Sequence, residues 1–378
     1  MALESILMRN PGDPSVACGG DDNSDEKSSP TPDKSAAPSA TTTPAQLDSA
    51  AILDQNKNSV VKILTTSPEG EGGGSGIVWQ DATHVLTNAH VVIGAGSIKV
   101  VDPADGARNF PAKVVALSSC DDVALLSVDR AQNLKPAKVG DSDAVKAGDH
   151  VVTLGFPGTI SAGPNNAIVT EGNISRVHAT FTFGGQRDLL QHTAPINPGN
   201  SGGPLFNLHG EVIGLNSYSA RGRQSENYAI SMNEAKLVAK DLEGGKNLNY
   251  VGITLEPNDR DYAQQNQLAY IVTAIDPGGP AAKAKPYPLQ TGDLIFELNG
   301  TSVVTVADFC DILRSRSSGD TLTVRFGAYD TNGKPFNNFQ YEVVVPLARS
   351  ALSAPLVACE DRPANFGMGG TAHGIRPG

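Results

Sequence analysis

From about residue 49 the apolar positions fall in short runs. Ser59 to Thr66, Gly76 to Trp79, His84 to Thr87, Ile98 to Asp102, Val123 to Asp129, His150 to Gly155 and Glu211 to Tyr218 each have strand length and are separated by turn residues. Many short strands predict a mainly β chain built of sandwiches or barrels. A helical period then follows: Ser231 and Glu234 form a capping-box pair ahead of Ala235, Leu237, Val238 and Leu242, and Gly244-Gly245 ends the helix. The spacing predicts a helix over Val306 to Arg314, opened by Thr305 and Asp308 and carrying Val306, Phe309 and Leu313 as its apolar stripe, and a strand over Phe339 to Leu347. Residues 19–48, rich in Gly, Asp, Ser, Pro, Thr and Ala, cannot bury enough surface to fold and read as a linker.

Composition adds limits. A chain of 378 residues has room for two or three domains, and 40 glycines with 25 prolines favour turns over long helices. No run approaches the ~18 apolar residues of a membrane span. The formal charge of −11 argues against nucleic acid as a partner. The cysteines Cys18, Cys120, Cys310 and Cys359 show no C-x-x-C spacing, so neither a metal site nor a cofactor is implied.

The chemistry centres on Asn197-Pro198-Gly199-Asn200-Ser201-Gly202-Gly203-Pro204. A serine among glycines suits a nucleophile on a tight turn, with backbone N–H groups free to approach a substrate carbonyl. The same letters fit the Gly-x-Ser-x-Gly elbow of α/β-hydrolases, and also a plain glycine-rich turn. Order along the chain separates these readings. An α/β-hydrolase needs a histidine after the serine, whereas His90 in Thr87-Asn88-Ala89-His90-Val91-Val92 and Asp122 in Asp121-Asp122-Val123-Ala124 precede Ser201, the order of the chymotrypsin-like double β-barrel. Imidazole titrates near neutrality and can take and return the serine proton, while a carboxylate fixes its tautomer; losing that carboxylate costs about 10⁴-fold in the serine-protease template. Asp121 is the alternative acid. His84, His150, His178, His192, His209 and His373 have no ligand-like pairing and read as ordinary surface or core residues.

Gly74-Ser75-Gly76-Ile77-Val78, Thr87 to Val92, Asp122 to Leu126, Val139 to Asp143, Thr170-Glu171-Gly172 and Ile196 to Leu205 together resemble the HtrA (Deg) serine proteases. Tyr250-Val251-Gly252-Ile253, Pro280-Ala281-Ala282 and Gly292 to Gly300 resemble the PDZ domain that follows the protease in that family. The resemblance implies a chymotrypsin-like double β-barrel over 49–246 and a PDZ domain over 247–348; residues 1–48 read as a leader remnant and linker, and 349–378 as a tail without family resemblance. It makes His90 the general base, Asp122 its orienting carboxylate, Ser201 the nucleophile, and the N–H groups of Gly199 and Ser201 the oxyanion hole. It further implies cleavage of unfolded or damaged proteins in the cell envelope, capture of peptide C-termini by Tyr250 to Ile253, and a homotrimer.

Other readings concern details. Thr193 and Pro195 depart from the family, as does the turn lengthened by Lys285-Pro286-Tyr287-Pro288. Without a carboxylate at Pro195, a pocket lined by Pro195, Ile196 and Leu215 should take small or medium aliphatic side chains rather than Lys or Arg. Asn200 stands where digestive relatives place an aspartate that pairs with a newly cut N-terminus, so no propeptide cleavage is expected. Ser15-Val16-Ala17-Cys18 resembles a lipoprotein cleavage box without its apolar leader, making Cys18 a candidate lipid anchor to the membrane of an extracytoplasmic protein. Sequence does not fix disulfide connectivity; Cys310 with Cys359 is the first candidate pair in an oxidising compartment, and Cys120 reads as a small buried side chain beside the candidate acid.

Overall fold

The computed structural model describes residues 46–347, apart from 69, 104–107, 130–132, 159–166, 181–184, 186–187, 220–224, 258–269, 318 and 328–340. Cys18, Cys359, His373 and the tail lie outside the described residues, as does nearly all of the linker.

The first element is a helix, α1 (Ser49–Asn56), where the hydrophobic pattern gave only strands. It is too short to show a period, and it forms because the Asp48 carboxylate accepts from the Ala51 N–H at 2.7 Å and because Ile52 is wholly buried. Six strands then close a first barrel: β1 (Val60–Ser67), β2 (Gly70–Val78), β3 (His84–Thr87), β4 (Ser97–Val101), β5 (Asn109–Ser118) and β6 (Val123–Val128), in the order β1-β2-β3-β6-β5-β4. A short helix, α2 (Ala89–Val92), follows β3. A second barrel closes as β10-β11-β12-β9-β8-β7 from β7 (His150–Gly155), β8 (Ile168–Ala179), β9 (Leu189–His192), β10 (Pro204–Phe206), β11 (Val212–Ser219) and β12 (Asn227–Ser231). The expected mainly β, two-barrel architecture is therefore present.

Helix α3 (Met232–Leu242) starts where expected, with the Ser231 hydroxyl accepting from the Glu234 N–H at 3.4 Å. Gly245, at φ +69°, returns its N–H to the Leu242 carbonyl at 2.9 Å. Ala235, Val238, Ala239 and Leu242 enter a core shared with Trp79, Leu86 and Leu125 of the first barrel and Leu154, Phe206 and Leu215 of the second. Leu237, grouped with that face by spacing, is instead 65% exposed.

A third sheet follows, built from β13 (Ile253–Pro257), β14 (Tyr270–Ile275), β15 (Leu294–Leu298), β16 (Thr301–Ser302), β17 (Thr321–Gly327) and β18 (Tyr341–Pro346). Its order is β13-β14-β15-β17-β18, with β16 paired to β15. Helix α4 (Val306–Arg314) begins with a complete capping box between Thr305 and Asp308 and buries Phe309, Cys310 and Leu313.

The cysteine pairing differs from expectation. Cys310 is bonded to Cys120, with Cα atoms 5.5 Å apart, a separation a disulfide spans without backbone movement. The partners are 190 residues apart in sequence, and what joins them is the packing of α4 against the turn before β6, which spacing could not show. Among the described residues, no helix is long and apolar enough to cross a membrane.

Candidate active site

Asp122 occupies the turn that leads into β6, at φ +53°, a left-handed conformation that aspartate tolerates better than most side chains. Asp122 is 2% exposed, and its carboxylate collects three donors. The His90 backbone N–H reaches Oδ1 at 3.0 Å, the His90 ring Nδ1 lies 2.9 Å from Oδ2, and the Ser217 hydroxyl donates to Oδ2 at 2.6 Å. The turn itself is held by Asn88, whose side-chain amide donates to the Asp122 carbonyl oxygen at 2.9 Å. Asp121, the alternative acid, faces away: it accepts from Ser118 Oγ and from Arg314 at 2.8 Å.

His90 is carried by α2, immediately after β3, and its ring stacks on Tyr218 with centroids 6.0 Å apart. Burial works against protonating the ring. The charge and hydrogen bond of Asp122, together with the charge of Glu256 on β13, outweigh it and raise the pKa above the ordinary 6.5. With Nδ1 committed to Asp122, the proton belongs on that nitrogen and Nε2 is left to accept.

Ser201 sits on a loop pinned from both barrels. Its carbonyl oxygen accepts from the Ser75 N–H of β2 at 2.8 Å, and the next N–H, of Gly202, donates to the Asn216 carbonyl of β11 at 2.8 Å. The backbone of β2 approaches so closely that a Cβ on Gly74 would stand 2.9 Å from the Ser201 carbonyl oxygen. Ser201 Oγ donates to the Ser217 carbonyl oxygen at 3.2 Å. No hydrogen bond joins it to His90 among the described residues, although both line one cleft of about 350 Å³ with Gly199, Pro198 and Val91.

Gly199 takes φ +105°, and a Cβ there would meet the Phe156 carbonyl oxygen at 2.5 Å. The Pro198 carbonyl is drawn off by the Gly158 N–H at 3.2 Å, which turns the Gly199 N–H the opposite way across the trans peptide. Ser75 Oγ then accepts from the Phe156 N–H at 2.9 Å and donates to the Gly199 carbonyl at 2.7 Å. Among the described residues, the N–H groups of Gly199 and Ser201 donate to no acceptor.

The structure thus brings His90, Asp122, Gly199 and Ser201 together. Of the expected pocket residues, Leu215 is wholly buried in the core shared by the barrels, Ile196 is buried and Pro195 is exposed, its carbonyl accepting from Thr170 Oγ1. Asn200 is buried, its Oδ1 against Gly155. Tyr250 to Ile253 form the turn into β13, with Gly252 at φ +81° beside Gly279 and the Tyr250 hydroxyl bonded to Asp276. Ser75, Ser217 and Tyr218 escaped the sequence reading. Ser75 lay inside a quoted motif, whereas Ser217 and Tyr218, on a β11 strand of ordinary composition, gave no signal. His84, His150 and His178 each pair with a carboxylate at the surface, and His192 is fully buried.

Two closed barrels with a His-Asp pair and a serine loop at their junction define the trypsin-like class of peptidase fold, here followed by a third, PDZ-type sheet. Residues 74–215 match the trypsin-like peptidase domain and residues 271–325 match the PDZ domain. A periplasmic DegP-like serine endoprotease, so named, of Halomonas elongata is 36% identical over 68% of this chain and 54% of its own length. A protein of Synechocystis named serine protease HhoB is 35% identical over 68% of this chain and 64% of its own. The chain belongs to the HtrA/DegP-like family of trypsin-like serine proteases with a PDZ domain. It spans between about half and two thirds of the length of these two relatives. Among solved structures, the HtrA-type protease AlgW with a tripeptide aligns at TM-score 0.48 and 23% identity, covering 80% of this chain and 97% of that one. The serine endoprotease from Yersinia pestis aligns at 0.47 and 27%, covering 81% and 100%.

Proposed function

We propose that the chain is a serine endopeptidase in which Ser201 attacks the scissile carbonyl, His90 takes and returns the proton, and Asp122 holds the imidazole. The observation that carries this is the pairing of a fully committed Asp122 carboxylate at His90 Nδ1 with two unpaired N–H groups, those of Gly199 and Ser201, beside the serine. Those groups are the proposed oxyanion hole, aimed where negative charge develops in the tetrahedral intermediate. The Ser201 hydroxyl must leave the Ser217 carbonyl and turn to His90 Nε2 as substrate arrives, a tightening common between resting and Michaelis states.

Unfolded or damaged proteins of an extracytoplasmic compartment are the proposed substrates, in keeping with the periplasmic relatives. The proposed division is a protease over 49–246 and a PDZ domain over 247–348, the latter receiving peptide C-termini through the N–H groups of Tyr250 to Ile253 and along β13. Assembly as a trimer and anchorage through Cys18 accompany this reading. Cleavage should follow small or medium aliphatic residues, because Pro195 supplies no carboxylate to draw in a Lys or Arg. Hydrolysis of unfolded casein, with sequencing of the products, tests the whole. Ser201→Ala should abolish cleavage without loss of fold, whereas residual turnover above about a thousandth of wild type, or a majority of cuts after Lys or Arg, would refute the respective part.

A further inference from the structure

The third sheet does not stand clear of the candidate active site. Ile253 and Leu255 of β13 and Val306 and Phe309 of α4 form one wall of a cavity whose other wall includes His90 and Tyr218. Its volume, about 40 Å³, admits no more than a few waters. Strand β13 ends the sheet order and the apolar side of α4 runs beside it, so this is where an extended peptide would add to the sheet. In this state the space is taken up by the protease barrels. Glu256, on the same strand, is near enough for its charge to favour the His90 proton.

Three contacts hold α4 in that position. Cys310 is bonded to Cys120, two residues before Asp122. One turn further along α4, Arg314 donates to Asp121 and to the Gly185 carbonyl, both at 2.8 Å. Gly185 lies so tightly on the disulfide that a Cβ there would stand 2.3 Å from Cys310 Sγ. Of the three, the disulfide alone is covalent, and an ion pair can part and re-form while a covalent link cannot.

We propose that Cys120–Cys310 is a redox-modification site: the bond locks the β13–α4 groove shut against His90, and cleavage by a dithiol reductant opens the groove to a peptide C-terminus and uncovers His90. The proposal rests on the endopeptidase and PDZ reading above. In the step itself, one thiolate of the reductant attacks a sulfur of the pair, the Cys120–Cys310 bond breaks and a mixed disulfide forms. The reductant's second thiolate then displaces the protein sulfur. Two electrons and two protons pass to the protein, leaving two thiols on it and a disulfide on the reductant. Both sulfurs are buried, so attack by the reductant requires the Gly185 backbone, which lies against Cys310 Sγ, to move aside.

The test uses the full chain carrying Ser201→Ala, so that peptide is not consumed, with dithiothreitol as reductant. Anisotropy of a fluorescent peptide with a free apolar C-terminus should report binding at least about ten-fold tighter after reduction, with alkylation and mass mapping showing both thiols released. A Cys120→Ser, Cys310→Ser double variant should bind at the tighter affinity without reductant; should it fail to fold, the reduction series alone decides. Equal affinity before and after verified reduction overturns the proposal. So does finding Cys120 and Cys310 unjoined in protein folded under oxidising conditions. Fluorophosphonate labelling of Ser201 in the unsubstituted chain separates the two readings. Redox-dependent binding without labelling in either state would sink the endopeptidase and leave the lock. Labelling and binding that are both indifferent to reduction would do the reverse.

Discussion

Acidification should weaken the second barrel through a histidine that plays no part in the proposed chemistry. His192, on β9, is fully buried, and burial is the main reason its pKa falls from 6.5 to about 4, with the Asn216 side chain and Ala194 backbone offsetting part of that penalty. The folded state thus binds the proton less well than the unfolded chain. Stability from the neutral ring is complete above pH 6.5 and is lost as pH falls from there toward 4, because the unfolded chain takes up a proton that the folded one refuses. At pH 4.5 the difference is about 2–3 kcal/mol, a large share of the margin of an ordinary domain. The assay is urea denaturation at pH 7.5 and 4.5, followed by the fluorescence of Trp79, the chain's one tryptophan and part of the core shared by both barrels. His192→Gln carries no titrating ring, so it should lose about 2–3 kcal/mol less than wild type between the two pH values, whatever its stability at pH 7.5. The comparison between variants cancels the carboxylates that titrate in the same range. Parallel losses in wild type and variant would refute the reasoning and place a proton on His192 in the folded protein.

Ser75→Ala removes the hydroxyl joining the Phe156 N–H to the Gly199 carbonyl; we expect a stability loss of about 1–3 kcal/mol by thermal melting and a fall in kcat of roughly ten-fold with little change in KM. Gly172→Ala would set a Cβ 2.1 Å from the Ala194 backbone nitrogen, forcing β8 away from the segment that follows β9; a loss of about 3 kcal/mol in denaturant titration is expected, and a neutral effect would contradict this close packing. In the proposed mechanism His90 must be neutral to take the serine proton, so kcat/KM should fall as pH drops through a His90 pKa lying above 6.5. In the oxidised chain Glu256→Gln should move that acid limb to lower pH, because a charge that favours the imidazolium is gone; an unmoved limb would mean that β13 does not sit near His90 in solution.

What the sequence disclosed and what it hid follow one physical division. His90, Asp122 and Ser201 were legible because residue type and chain order together limit the chemistry, and both long helices were legible because their caps are local: Ser231 to Glu234, and Thr305 to Asp308. Strands β1, β3, β6 and β7 were found because dense apolar side chains mark them. Strand β8 was missed because few of its side chains are fully buried, and β2 was placed six residues late because its first seven residues, Gly70 to Gly76, include five glycines. Those glycines contribute no side chain to an alternating pattern, yet β2 pairs with β1 throughout, Gly76 opposite Val61 and Gly74 opposite Ile63. Their placement answers to partners far along the chain: a Cβ on Gly76 would stand 2.5 Å from Val85, and one on Gly74 would press on both Val91 and Ser201. Cys120 and Cys310 pose the same difficulty, since nothing within ten residues of either announces the other. Reading such positions requires asking of each glycine or cysteine what must come close to it, a question about contacts across the fold that no periodicity along one chain can answer.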